Sequence, residues 1–201
     1  TISHQSVNSI NHRFTWNIEY KPHTLNYLKI TPDYSYSSST TNYNDRVANI
    51  YSNLAATDPL NKKYTSASLN RSTSPNFGTM ILFNHKFNAT GRNLNVYINA
   101  NSNHSDQDQN VEYNYMQGRP TINPNRLINT GSRITSIGTN LSYLEPLSKV
   151  SFLELNYAFN HSHTTSEKET DTLSTGGIYA NYPLLSNDYN YNFTTNRIGL
   201  N

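Results

Sequence analysis

The run ITSIGTNLSY (134–143), the connector LEPLSKV (144–150) and the run SFLELNYAFN (151–160) decide the fold. In the first run Ile137, Thr139, Leu141 and Tyr143 share one parity, against Gly138, Asn140 and Ser142. In the second, Leu153, Leu155, Tyr157 and Phe159 alternate with Glu154, Asn156, Ala158 and Asn160. A period of two is that of a strand, whose successive side chains point to opposite sides. Two such runs around a Pro-containing connector predict an antiparallel hairpin with one apolar and one polar face.

Upstream, HRFTWNIEYK (12–21) repeats the pattern, with Phe14, Trp16, Ile18 and Tyr20 against Arg13, Asn17 and Glu19. KPHTLN turns the chain, and YLKITPDYSYS (27–37) returns with Leu28, Ile30, Tyr34 and Tyr36 against Lys29 and Asp33. Glu19 and Lys29 face each other across this hairpin. Pro32 has no N–H for a ladder and predicts a bulge or a missing bond. NFGTMILFNHKF (76–87) is apolar at both parities from Met80 to Phe83, so its facing is open. After a tight NATGR turn, NLNVYINAN (93–101) sets Leu94, Val96 and Ile98 against Asn95, Tyr97 and Asn99. A last run is NFTTNRIGLN (192–201), and residues 1–11 read as the tail of a loop.

Composition rules out several classes. Hydrophobic residues are 34% of 201 and mean hydropathy is −0.73, poor material for a closed interior. Charged residues are only 14%, too few for a usual soluble surface or a charge-driven disordered chain. Neutral polar residues fill the gap: roughly one residue in six is Asn, with 16 Tyr. A net charge of +2, with no Lys/Arg cluster tracking a groove, argues against nucleic acid. Cysteine is absent, and no apolar run is long enough for a transmembrane helix.

The connectors alternate between short (about 21–25, 88–92, 145–150) and long (about 37–75, 102–133, 161–191). In an up-and-down meander, all short turns then lie at one end and all long loops at the other. Outer-membrane barrels have this asymmetry. The fold expected is therefore all-β, an antiparallel up-and-down transmembrane β-barrel segment of about seven strands, spanning 1–201 as an excerpt of a longer chain. Spanning strands need about 9 to 11 residues, near the length of each run, and closure bonds every backbone group.

Outer-membrane lipid is the partner expected for the apolar parity: Phe14, Trp16, Ile18, Tyr20, Leu28, Ile30, Leu94, Val96, Ile98, Leu141, Tyr143, Leu153, Leu155 and Tyr157. A watery lumen is expected for Arg13, Asn17, Glu19, Lys29, Asp33, Asn95, Tyr97, Asn99, Asn140, Glu154 and Asn156. Aromatics should gather at the two membrane interfaces, with Tyr20, Phe87 and Tyr143 beside the short turns.

The stretches NHRFTWNIEYKPHTLNYLKITPDYSYS, ILFNHKFNATGRNLNVYINANSN, EPLSKVSFLELNYAFN and NYNFTTNRIGLN resemble barrel segments of the outer-membrane β-barrel family of TonB-dependent receptor-like proteins typical of Bacteroidetes. The resemblance implies a large barrel of about 22 strands. It also implies a plug domain and a segment that contacts the TonB system, both outside these residues. The function implied is import of a bulky, unidentified ligand across the bacterial outer membrane. An outer-membrane anchored binding or adhesion protein, recognising a surface or glycan through its long loops, is the rival; a soluble extracellular β-rich domain is a second.

Catalytic and metal patterns are weak. His161 and His163 with Glu167 and Glu169 would supply metal ligands, but a solvated loop root explains them better; Asp106 and Asp108 offer oxygen ligands at alternate positions but lack the Gly and terminal Glu of a calcium loop. No G-x-S-x-G elbow supports a hydrolase. The chain is expected to be neither an enzyme nor a cofactor carrier.

Overall fold

A computed structural model describes the chain except for residues 1–3, 52–59, 88–90, 119–123 and 175. Its elements are β1 (His4–Thr15), β2 (Ile18–His23), β3 (Asn26–Tyr51), β4 (Leu60–Lys86), β5 (Asn93–Gln117), β6 (Arg126–Pro146), β7 (Phe152–Leu173), β8 (Tyr179–Asn181) and β9 (Asn187–Leu200), with a 3-10 turn at Pro183–Leu185. They form one antiparallel sheet in the order β1-β3-β4-β5-β6-β7-β8, with β2 also on β3 and β9 also on β7. Every neighbour pairing is a meander step.

β1 and β2 are one ladder strand interrupted at Trp16 and Asn17. The register is the same on both sides of the break, from Thr15↔Asp33 to Ile18↔Ile30. Trp16 N–H still donates to the Pro32 carbonyl at 3.0 Å. Pro32 has no N–H to return, so the pair is half bonded and the ladder lapses there.

The long connectors are where the structure departs from the sequence reading. β3, β4 and β5 run for 26, 27 and 25 residues, so most of 37–75 and 102–133 is strand. Much of 161–191 is β7, β8 and the start of β9. Residues 4–11, expected as a loop tail, pair with β3 from His4↔Asn44 onward. The physical reason is that alternation reports a difference between two environments. Where both faces of a ribbon meet water, Ser, Thr and Asn serve on either side and the period disappears, while the ladder propagates from the patterned part. At ~3.3 Å per residue these strands are roughly 80 Å long, against an apolar band about 25 Å tall.

Among the described residues no hydrophobic side chain is buried. The sheet is a single layer without a core, and no helix is long and apolar enough to cross a membrane. An apolar sheet face needs something to cover it, and the described chain has no second layer to do so.

Candidate functional site

The cross-strand register sorts the side chains into two faces. One row runs Tyr20–Leu28–Phe83–Val96–Leu141–Tyr157–Ile198, and the next Ile18–Ile30–Ile81–Ile98–Thr139–Phe159. Phe14, Tyr34 and Phe77 continue this face beyond it, while Leu94, Tyr143, Leu155 and Leu200 form the next row toward the short turns. Leu153 is on the same face, opposite Glu145, and Trp16 joins it by alternation between Phe14 and Ile18. All fourteen residues expected to meet lipid therefore share one face of one sheet. Register also settles the ambiguous 76–87 run: Phe77, Ile81 and Phe83 belong to the apolar face, Met80 and Leu82 to the other.

The opposite face carries Glu19–Lys29–Leu82–Tyr97–Asn140–Ala158–Arg197, then Tyr27–Asn84–Asn95–Ser142–Asn156 and Thr31–Met80–Asn99–Gly138–Asn160. Arg13 and Asp33 lie on it, and Asn17 follows by alternation. Glu19 and Lys29 are 3.9 Å apart, an exposed pair of small energetic weight. Asn84 Nδ2 donates to Asn93 and Asn95 at 2.8 and 2.6 Å, and Ser142 Oγ donates to Glu154 at 2.8 Å. Gly138 lets the Asn99 and Asn160 amides lean over its backbone: a Cβ there would meet Asn160 Oδ1 at 2.6 Å and Asn99 Oδ1 closer still. The face is thus an amide and hydroxyl surface with sparse charge.

At the short-turn end the apolar face gives way to a polar and aromatic rim. Phe83, His85, Phe87 and Tyr143 form successive ring contacts with centroids 6.5, 4.5 and 6.1 Å apart. One row beyond Tyr143, Arg92 Nη2 donates to Glu145 Oε1 and Tyr143 Oη donates to Glu145 Oε2, both at 2.5 Å. The Arg92 hydrogen bond, helped by that of Tyr143, holds the Glu145 carboxyl below the usual carboxylate range, and Glu145 in turn raises the Arg92 guanidinium. The adjoining turn closes with Phe87 N–H on the Arg92 carbonyl at 3.1 Å, and Gly91 takes the left-handed φ of 102° it needs. Residues 88–90 of the expected NATGR turn lie outside the described residues.

An aromatic, short-turned rim, an apolar band and a polar reverse face together describe the wall of a membrane barrel. The model of the outer membrane protein beta-barrel family matches residues 85–197. The chain belongs to this family. No curated protein matches the chain. Membership assigns the barrel to the bacterial outer membrane, and the matched region runs from His85 to Arg197, through the apolar band of β5, β6 and β7.

The metal candidates of this barrel are tied up singly. His161 Nδ1 is 2.8 Å from Thr194 Oγ1, and His163 Nδ1 is 2.7 Å from Asn192 Oδ1. Asn181 donates to Glu169 at 3.2 Å, Glu167 is opposite Asp188, and Asp106 is 2.8 Å from His104 Nε2. Among the described residues no group of three or more such side chains is arranged to hold a metal ion.

Two features were not legible by alternation. Tyr64, Tyr113 and Tyr115 cluster on the polar side of the extended β4–β5 hairpin, with ring centroids 5.0 to 6.2 Å apart. Burial, then the neighbouring Tyr64, raises the Tyr115 hydroxyl above its ordinary range. Thr170, 1% exposed, bonds through its N–H to Ser186 Oγ and through its Oγ1 to the Leu185 carbonyl, both at 3.0 Å, so the 3-10 turn is pinned against β7.

Proposed function

We propose that this barrel is part of a TonB-dependent receptor that imports a bulky ligand, and that it works as a conduit with no catalytic centre or cofactor. In this reading the apolar face meets outer-membrane lipid and the amide and hydroxyl face lines the passage. A plug domain would close the passage until the TonB system displaces it. The observation that carries the reading is the two-sided wall without a core, whose apolar face has no covering layer in the described sheet. Its breadth adds support. The ladder ends at β1/β2 on one side and β8/β9 on the other, and these end strands do not pair with each other in the described sheet. Open edges are not tolerated in hydrocarbon, so a closed barrel in the membrane needs partners for both edges.

A second reading, an anchored binding or adhesion protein, draws on the β3–β6 hairpins. They continue as ordered ladder far beyond the apolar band and carry the Tyr64, Tyr113 and Tyr115 cluster. Site-specific crosslinking in cells expressing the full-length gene product separates the two. A receptor is expected to yield an adduct with TonB that grows when the passage is loaded. A protein that retains cells on a surface but never crosslinks to TonB is an anchor, and the transport reading fails.

A further inference from the structure

Above the band the apolar face turns charged. From Leu94 to His104, β5 climbs by roughly 25 Å at ~3.3 Å per residue and a strand tilt of about 40°, which is the height of the apolar band of an outer-membrane barrel. At that level the charges come in layers. The first is the row His104–Arg133–Thr165–Asn190. The second, one ladder row further from the short turns, is Asp106–Gly131–Glu167–Asp188. In the row beyond that, Arg71 faces Asp108 and Asn129 faces Glu169.

The second layer is unfavourable by itself. Glu167 and Asp188 are directly paired, and like charges directly opposite one another cost stability. Among the described residues neither they nor Arg133 enter a salt bridge, and Asp106 meets only His104, 2.8 Å from its Nε2. Gly131 leaves a gap in the row. Amides close over Gly138, but a Cβ on Gly131 would meet one atom within 4 Å, Asp106 Oδ1 at 3.6 Å. The resulting dent has a volume of about 510 Å³, in the range of small-ligand sites, with His104 and Arg133 on its membrane side and Asp106, Glu167 and Asp188 on the other.

We infer that this dent seats the headgroup of a lipid that carries phosphoethanolamine. The inference rests on the proposed reading that the apolar face meets outer-membrane lipid. The phosphate of such a lipid lies on the hydrocarbon side of its headgroup, at the level where the Arg133 guanidinium offers a fork of donors. The ammonium extends further out and brings three N–H donors to the carboxylates. The two layers therefore match the headgroup in sign and in order. A metal ion fits less well: the three carboxylates come from β5, β7 and β9, and among the described residues no such group is arranged to hold one. A glycerol headgroup would leave Glu167 and Asp188 uncompensated, and a trimethylated ammonium has no N–H to donate.

The test uses the full-length protein. First, a bimane fluorophore is attached in the Val96→Cys and Tyr97→Cys variants, in vesicles of phosphatidylcholine with brominated acyl chains. Quenching at 96 and not at 97 is expected; any other pattern removes the face assignment, and with it the reading that the apolar face meets lipid. Second, protein in nanodiscs of equal parts phosphatidylcholine, phosphatidylethanolamine and phosphatidylglycerol is released into a native mass spectrometer, and the retained lipids are counted. Phosphatidylethanolamine is expected in excess of the other two. The excess should fall about fivefold in Arg133→Gln and in Glu167→Gln with Asp188→Asn, the size of one exposed charge pair lost. It should survive Lys168→Gln, which removes a charge from the opposite face. With 96 quenched and 97 not, either of two results refutes the headgroup site while the membrane wall stands: another lipid retained at or above the level of phosphatidylethanolamine, or an excess unchanged by the Arg133 and Glu167/Asp188 variants.

Discussion

The Asp33 carboxylate lies over Gly78, its directly paired neighbour, with Oδ1 2.5 Å from where a Cβ on that glycine would be. The same device recurs two strands away, where Asn99 and Asn160 close over Gly138. Gly78 and Gly138 are buried not by a core but by polar neighbours folding across them.

Gly138→Ala is therefore expected to destabilise the barrel by about 1 kcal/mol through overpacking, although Ala normally outperforms Gly inside a strand. In a chain already carrying Asn99→Ala and Asn160→Ala, the same change should be neutral or stabilising. Urea unfolding of the four variants in lipid vesicles would measure the coupling, and additive effects would contradict the packing seen at Gly138.

Neighbouring positions on β5 should respond in opposite ways to charge. Ile98→Lys puts an ammonium on the apolar face and is expected to cost about 2–4 kcal/mol if near mid-bilayer, whereas Asn99→Lys should be near neutral. Folding yield into vesicles of defined thickness reads both. Equal penalties at 98 and 99 would mean that the two faces do not meet different solvents.

Pro32 leaves the Trp16 carbonyl without its ladder donor. Pro32→Val supplies an N–H and a β-branched side chain, so it is expected to stabilise by about 0.5–1.5 kcal/mol. A slowly exchanging amide at position 32, seen by hydrogen exchange, would accompany the gain; an unstable variant with rapid exchange there would show that the interruption is set by something else.

Acid should act on the short-turn rim. Because Arg92 lowers the Glu145 pKa, the contribution of this contact is fully present above the ordinary carboxylate range and is lost as pH falls through the lowered value. Unfolding midpoints measured down the acid range should fall less steeply for Glu145→Gln than for the parent, with the curves converging at the acid end. Parallel curves would show that Glu145 gains nothing from Arg92.

Sequence legibility followed the contrast between environments. Leu94, Val96, Leu141 and Leu155 reported their shared face directly, because a strand with one apolar and one polar face must alternate. The tall upper ladder of β3 to β6 was written in Ser, Thr and Asn, which suit water on both sides and leave no periodic mark. Met80 to Phe83 failed for the opposite reason, since both parities were apolar there and pairing with β3 and β5 was needed to choose. The metal candidates were legible as letters only; cross-strand partners engage His161 and His163 separately.

By itself the sequence determined the strand class, the meander, the apolar band and the end at which the short turns lie, since these depend on local period and turn chemistry. Tertiary structure alone decided how far the ladders extend, which side chains fold over Gly78 and Gly138, and that Asp106, Glu167 and Asp188 share one row with Gly131. Those outcomes depend on register, which is handed from strand to strand through backbone hydrogen bonds. No single run of residues contains it.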